Sequence, residues 1–360
     1  MKTRIAVAAA ALLLMGMNRQ PAPIPTPVPT VVPTPIPTVV PTPTPEPVSA
    51  YWFPNSDFWQ REIGDAPQVN PNSAEQMDTL ADALRIKGYA NQLDVFYDRW
   101  TMPIHRSPEP LRWVTVTQAN TGEAFHPSVD PDGSGAVSVP FGYAWMTPDP
   151  REDGHISVVT PTDVWEASRY NAATHTATTI SRYPRNGAGY GSNPMQGPFW
   201  WKQGSTGPGV CMTAGLVTLD EIKAGRIDHK LAISLPANAR RRALMHEGKE
   251  VDREVIYPPG VRSDGKYDGP RFVLEGSVLQ LRPDYPEEGL SVGGLAVVRA
   301  LKKFGAVDRD NSGSFGIAFE GLYDGQWLPY AAIVRDLRQI RVEDFRVLVP
   351  DGIAIRYMAE

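Results

Sequence analysis

Cysteine occurs once in the 360 residues, at Cys211, and histidine only six times. A single thiol forms no intramolecular disulfide, so any folded part must be held together by its core. No two histidines stand at ligand spacing and the cysteine has no neighbour of its kind, which leaves zinc chemistry with little support. Long apolar runs are also lacking. The N-terminal run Ile5 to Met17 has 13 residues, too few to span a bilayer comfortably. Basic character is scarce: the formal net charge is -5, and the one basic run, Arg240 to Arg242, is followed by Glu247, Glu250, Asp252 and Glu254, which speaks against a nucleic-acid partner. A nucleophile elbow of the G-x-S-x-G type is absent, and GSTGPG at residues 204–209 has no lysine with which to cradle a phosphate.

Proline is abundant instead. Three similar blocks, PTPVPTVV, PTPIPTVV and PTPTPEPV, run from Pro25 to Val48. Proline fixes φ and carries no N–H, so helix and sheet ladder are closed to this stretch and polyproline II is expected. At about 3.1 Å per residue, Pro21 to Val48 would reach roughly 90 Å. Ahead of it, Lys2 and Arg4 precede the apolar run in the order of an export signal. Met17 and Asn18 stand where a lipoprotein would carry its cysteine, and no small-x-small site follows, so a cleaved signal and a retained short anchor both fit. The expected organisation is a signal-like segment at 1–18, a Pro/Thr-rich stalk at 19–48 and a globular body at 49–360, working outside the cell or on its surface. Membrane contact is expected only through the N-terminal segment. A chain beginning near Ser49 is therefore expected to fold alone. Its thermal unfolding should match that of the full chain, and a loss above about 1 kcal/mol would show that the stalk packs on the body.

Short alternating segments separated by Gly, Pro, Asn and Asp dominate the body and predict a mainly β protein. Strands are expected at 112–117, 155–160, 164–170, 175–183, 228–235, 271–274, 278–282, 314–320 and 345–349. So many strands favour two packed sheets, a jelly-roll-like β-sandwich with a few peripheral helices. Helix signals are clear in three places. Ser73 and Gln76 read as a capping box ahead of Met77, Leu80 and Leu84; Thr218 and Glu221 read as a second, ending at Gly225; a third helix spans roughly Ser291 to Phe304.

The candidate chemistry begins at the hairpin around TPT, residues 160–162. A two-residue turn at Pro161 and Thr162 sets Ser157 opposite Glu166 and His155 opposite Ser168. Asp153, His155, Ser157, Glu166 and Ser168 then share one face, with Ile156, Val158, Trp165 and Ala167 on the other. An acid, a base and an orienting group on one face is what proton transfer requires, and a solvated outer face is the plainer alternative. In RIDHKLAISL, Asp228 is expected to share a face with Lys230, Ala232 and Ser234, while His229 sits in apolar company. Glu320, beside small residues on SFGIAFE, could floor a groove. Arg185, Tyr190, Trp200 and Trp201 lie in a glycine-rich loop whose rings could stack on sugars. Two segments open like calcium loops, Asp130 to Gly135 and Asp308, Asp310, Ser312 and Gly313, but both lack the acid at the twelfth position. Calcium is therefore a weak possibility and no other cofactor is expected.

The phrases PNSDFW at Pro54, EDGHISVV with the following WEAS, and EIKAGRIDHKLAISL resemble those of secreted bacterial β-sandwich proteins with carbohydrate activity. The resemblance implies an extracellular or cell-wall polysaccharide as partner and a jelly-roll-like body; it assigns no residue. The functional expectation is an enzyme cleaving glycosidic bonds, a glycoside hydrolase or a polysaccharide lyase. Glu166 and Asp228 are the expected carboxylate pair, His155 orients Glu166, and Asp153, Arg185, Tyr190, Trp200, Trp201 and Glu320 contact substrate. The alternative is a glycan-binding module displayed on the stalk without chemistry.

Overall fold

The computed structural model describes residues 51–107, 110–142, 152–190, 203–246, 249–321, 331–350 and 354–356; between 240 and 255 and at 354–356 only the backbone is described. The chain divides into two units, residues 1–44 and 45–360, and every described residue belongs to the second. The predicted signal and stalk lie outside the described residues. Among those described, no helix is long and apolar enough to cross a membrane.

The second unit is mainly β, with strands in several sheets and six α-helices among the described residues. Four sheets form, where the strand count had suggested two. The largest has six strands in the order Asp94–Phe96, Gly316–Ala318, Leu231–Leu235, Ala306–Asn311, Val278–Leu281 and Phe345–Val347. It is mixed: Ala306–Asn311 runs parallel to Leu231–Leu235, whereas Gly316–Ala318 runs antiparallel to it. A four-stranded sheet joins Ile104–Arg106, Ile156–Val159, Asp163–Ser168 and Thr179–Pro184. A five-stranded sheet forms around the hairpin Asn238–His246 with Lys249–Ile256, and a three-stranded one around Val114–Gln118.

Period-two alternation sorts these strands between three cores. Leu231, Ile233, Leu235, Leu279 and Ile317 face one core with the helices Ser73–Ile86 and Val292–Lys303. Val278, Val307 and Ala318, from the same sheet, face a second core holding Trp59, Met102 and the segment Val210 to Leu216. The large sheet is thus covered on both faces. Val159 and Val164 of the four-stranded sheet join this second core, while Ile156, Val158, Trp165 and Ala167 turn to a third against Val116, Val137 and Phe125. The second core is therefore the layer between the six-stranded and the four-stranded sheets. Any polar side chain on that face of the 156–168 hairpin is enclosed there.

Two of the three predicted helix starts follow local chemistry. The Thr218 and Glu221 capping box forms, and Gly225 closes that helix at φ 68°. Ser291 caps Val292–Lys303 through the N–H of Gly294. The expected box at Ser73 does not form: the Ser73 hydroxyl accepts from the N–H of Val347, and Gln76 donates to the carbonyls of Pro270 and Phe272. Tertiary partners have taken both groups.

Candidate functional site

The hairpin folds in the predicted register, with Ile156 opposite Ala167 and Ser157 opposite Glu166, and the N–H of Thr160 donates to the carbonyl of Asp163 at 2.8 Å. Its polar face is covered. Segment 203–213 lies across it: the N–H of Gly204 donates to Ser181 Oγ at 2.5 Å, and the Ser205 hydroxyl donates to Glu166 Oε2 at 2.8 Å. Glu166 Oε1 accepts from the N–H of Thr213 at 2.7 Å, the Thr213 hydroxyl at 2.6 Å and the Cys211 thiol at 3.4 Å. The Thr213 hydroxyl also lies 2.8 Å from that of Ser157. Glu166 is 0% exposed and its lone pairs are taken, so its carboxylate fastens the covering segment to the sheet. Burial, together with the charge of Glu166, pushes the Cys211 thiol up, so the cysteine serves as a donor and not as a nucleophile.

Glycine in GSTGPG answers to close packing. The strap is gripped from outside by Arg262, whose guanidinium donates to the carbonyls of Gln203 and of Thr206, the latter at 2.6 Å. A side chain on Gly207 would run into the Asp264 carboxylate, and one on Gly204 into the backbone of Gly209. No phosphate role is needed to explain this composition.

His155 and Glu166 share the layer without a hydrogen bond. The nearest carboxylate to His155 is that of Asp153, whose Oδ2 lies 3.7 Å from Nε2, while Nδ1 is buried without a partner. The imidazole beside Asp153 holds that carboxyl below the usual range against the opposing effect of burial, and Arg169 and Arg309 add to it. Asp153 keeps its side chain 50% exposed.

Opposite stands the strand Ala306–Asn311. The predicted calcium loop at 308–313 is corrected here, because Asp308 and Asp310 pair with Ile233 and Ser234 across a sheet. The register shifts between Asp308 and Asp310, leaving Arg309 as the bulged residue, and bulges re-aim side chains next to working sites. Asp308 is 0% exposed and accepts from the Asn238 amide. Asp310 is half-buried and accepts from the N–H of Gly207 at 3.4 Å. Ser312 donates to the carbonyl of Ser314 at 2.6 Å. Among the described residues, no three His, Cys, Asp or Glu side chains are placed to hold a metal ion. The other candidate loop is a turn: Asp130 accepts from the N–H groups of Phe125, Ser134 and Gly135.

Arg309 reaches from this strand to Met212 and Trp100. Its charge acts on Asp153 and Asp310, yet among the described residues it has no carboxylate within ion-pair distance; its guanidinium meets Met212 Sδ at 3.3 Å and the Trp100 carbonyl at 3.5 Å. Burial pushes the Asp310 carboxyl up, with Arg309 and His155 opposing and Asp264 and Asp153 reinforcing. Asp310 thus responds to the charge of Asp153, and their surroundings drive the two apart, one toward the ionised form and one toward the protonated form.

The remaining predicted residues are dispersed. Asp228 pairs with exposed Arg226 at 2.6 Å, whereas Glu166 is engaged by Ser205, Cys211 and Thr213, so each member of the expected carboxylate pair has partners of its own. Glu320 accepts from the N–H of Leu219 and lies 3.5 Å from Arg106. Arg185 donates to the carbonyls of Trp52, Thr160 and Pro161, which pins the hairpin turn and leaves it unsuited to neutralising a uronate. Tyr190 meets Phe58 edge-on and lines a cleft of about 800 Å³ with Ile63, Lys230, Val278 and Leu348. Trp200 and Trp201 lie outside the described residues.

His229 has a structural task. Nδ1–H donates to the Lys230 carbonyl at 2.8 Å and Nε2–H to Glu221 at 2.9 Å, a pattern that needs both ring protons. Burial alone would lower its pKa, but the charge and hydrogen bond of Glu221, with the Lys230 carbonyl and Asp228, raise it above the usual value. A raised histidine contributes stability that is complete below the unfolded value of about 6.5 and is lost as pH rises through the folded value. Stability should therefore fall across that interval, and His229→Gln should flatten the fall by about one proton's linkage. Equal pH slopes in denaturant titrations of the two proteins would refute it.

Compared with protein-family models, curated proteins and solved structures, the chain matches none of them. The site must be read from its own residues.

Proposed function

We propose that the protein is a carbohydrate-active enzyme that cleaves glycosidic bonds of an extracellular or cell-wall polysaccharide by hydrolysis. What supports this reading is the placement of half-exposed Asp153, 3.7 Å from His155, and of Asp310 beside the bulged Arg309, with surroundings that push the two carboxyls in opposite directions. Glycoside hydrolysis needs one carboxyl that keeps its proton and one that has lost it. Asp310 donates its proton to the departing glycosidic oxygen. Asp153, half-exposed and ionised, serves as base toward water or as nucleophile, and His155 positions it. The roles first expected of Glu166 and Asp228 pass to this pair, since Glu166 is held by the covering segment and Asp228 by Arg226.

The test is a panel of plant, fungal and bacterial cell-wall polysaccharides incubated with the protein. Reducing ends and unsaturated products are assayed alongside pull-down. New reducing ends are the expected result. Unsaturated products would turn the reading to a lyase, and binding without product would turn it to a display module.

A further inference from the structure

We propose that Trp100 is the platform on which a pyranose ring of the substrate stacks, an inference that rests on the glycosidic reading above. Trp100 is 45% exposed, and its indole makes no ring or cation contact among the described residues. Among the described tryptophans Trp52, Trp59 and Trp165 are buried, while Trp100 and Trp113 are exposed; of the two exposed ones, Trp100 is the one hydrogen-bonded through its backbone to Arg309.

Its backbone supplies a second, independent observation. Trp100 has φ 55°, in the left-handed region that a bulky residue seldom enters. Such a conformation persists only where the surroundings impose it, and it clusters at sites of function. Here two contacts impose it. The N–H of Trp100 donates to Glu152 Oε2 at 2.9 Å, and Glu152 is itself fixed by Arg99 at 2.7 Å. The carbonyl of Trp100 accepts from Arg309 at 3.5 Å. Glu152 precedes Asp153 in the chain and Arg309 precedes Asp310. The two residues that hold Trp100 in its unfavourable backbone are thus the immediate neighbours of the two acids. The indole is consequently tied to the spacing of the acids, which is what a sugar-binding platform requires if stacking is to present the scissile bond. An indole offers a wide π face carrying partial negative charge, complementary to the C–H face of a pyranose.

Soluble hexasaccharides of neutral and acidic pyranoses, titrated against the full protein by tryptophan fluorescence, provide the test, with Trp100→Phe and Trp100→Gly as variants. At least one hexasaccharide should perturb the wild-type spectrum. Trp100→Gly should bind it about tenfold more weakly or worse, Trp100→Phe should fall between, and the KM for its cleavage should rise more than kcat falls. The melting temperature of Trp100→Gly should equal or exceed that of wild type, because glycine enters φ 55° freely. A merely structural tryptophan would give the reverse, a lower melting temperature with unchanged affinity, and that result overturns the platform while leaving the glycosidic reading intact. Failure of every hexasaccharide to bind or be cleaved by wild type would overturn both.

Discussion

Glu166→Ala is expected to cost about 4 kcal/mol of stability, a large share of the roughly 5–15 kcal/mol that holds a typical domain together. The loss follows from the donors left behind. The N–H of Thr213, the hydroxyls of Thr213 and Ser205 and the thiol of Cys211 all converge on this one carboxylate, in a layer closed on both sides by sheets. Each buried donor without an acceptor costs about 1–3 kcal/mol, and alanine adds a cavity. Glu166→Gln should cost only about 1 kcal/mol. Its amide oxygen can take both Thr213 donors, while its NH₂ donates to Ser205 Oγ. Denaturant unfolding of the three proteins decides the matter. An alanine variant within 1 kcal/mol of wild type would mean that water satisfies the strap and that the carboxylate does not fasten it.

What was legible in the sequence was local. The turn at Pro161 and Thr162 and the alternation of HISVV with DVWEAS fixed the hairpin register, because side chains repeat every two residues. Thr218, Glu221 and Gly225 fixed a helix through its capping box and its left-handed stop, both local hydrogen-bond and backbone effects. Alternation says which side chains share a face and nothing about what covers that face. The cover over Glu166 comes from residues 203–213, some forty positions along, and its fastening is by backbone N–H and hydroxyl groups that leave no periodic trace. The segment beginning at Asp308 misled through its resemblance to a metal loop: D-x-D-x-S-G is a local pattern, whereas its pairing with Leu231–Leu235 is set by residues seventy positions away. The bulge that brings Arg309 to the site is a property of that pairing, so neither it nor the role of Asp310 could be read beforehand. Trp100 is one of nine tryptophans, and nothing in DRWT foretells its exposure or its left-handed backbone.

Asp310→Asn should lower kcat about 10²–10⁴-fold, the usual span for losing a general acid, and should leave KM nearly unchanged. The pH profile gives the sharper criterion. Burial raises the Asp310 carboxyl, so the proton it must deliver is retained to higher pH than an ordinary aspartate near 3.9 allows; activity then falls as pH climbs through that raised value. The imidazole of His155 lowers Asp153, so the acid limb appears only below the ordinary range. The wild-type bell is therefore wider than two unperturbed aspartates would give. Asn at 310 should erase the alkaline limb and Asn at 153 the acid limb, each from whatever activity remains. Stability moves the other way for Asp310: a carboxyl with a raised folded value loses stability as pH rises through it, so at neutral pH its ionisation is a cost that Asn removes. Asp310→Asn should melt at or above the wild-type temperature. A variant with full kcat, or one that keeps the alkaline limb, would take the acid role away from Asp310.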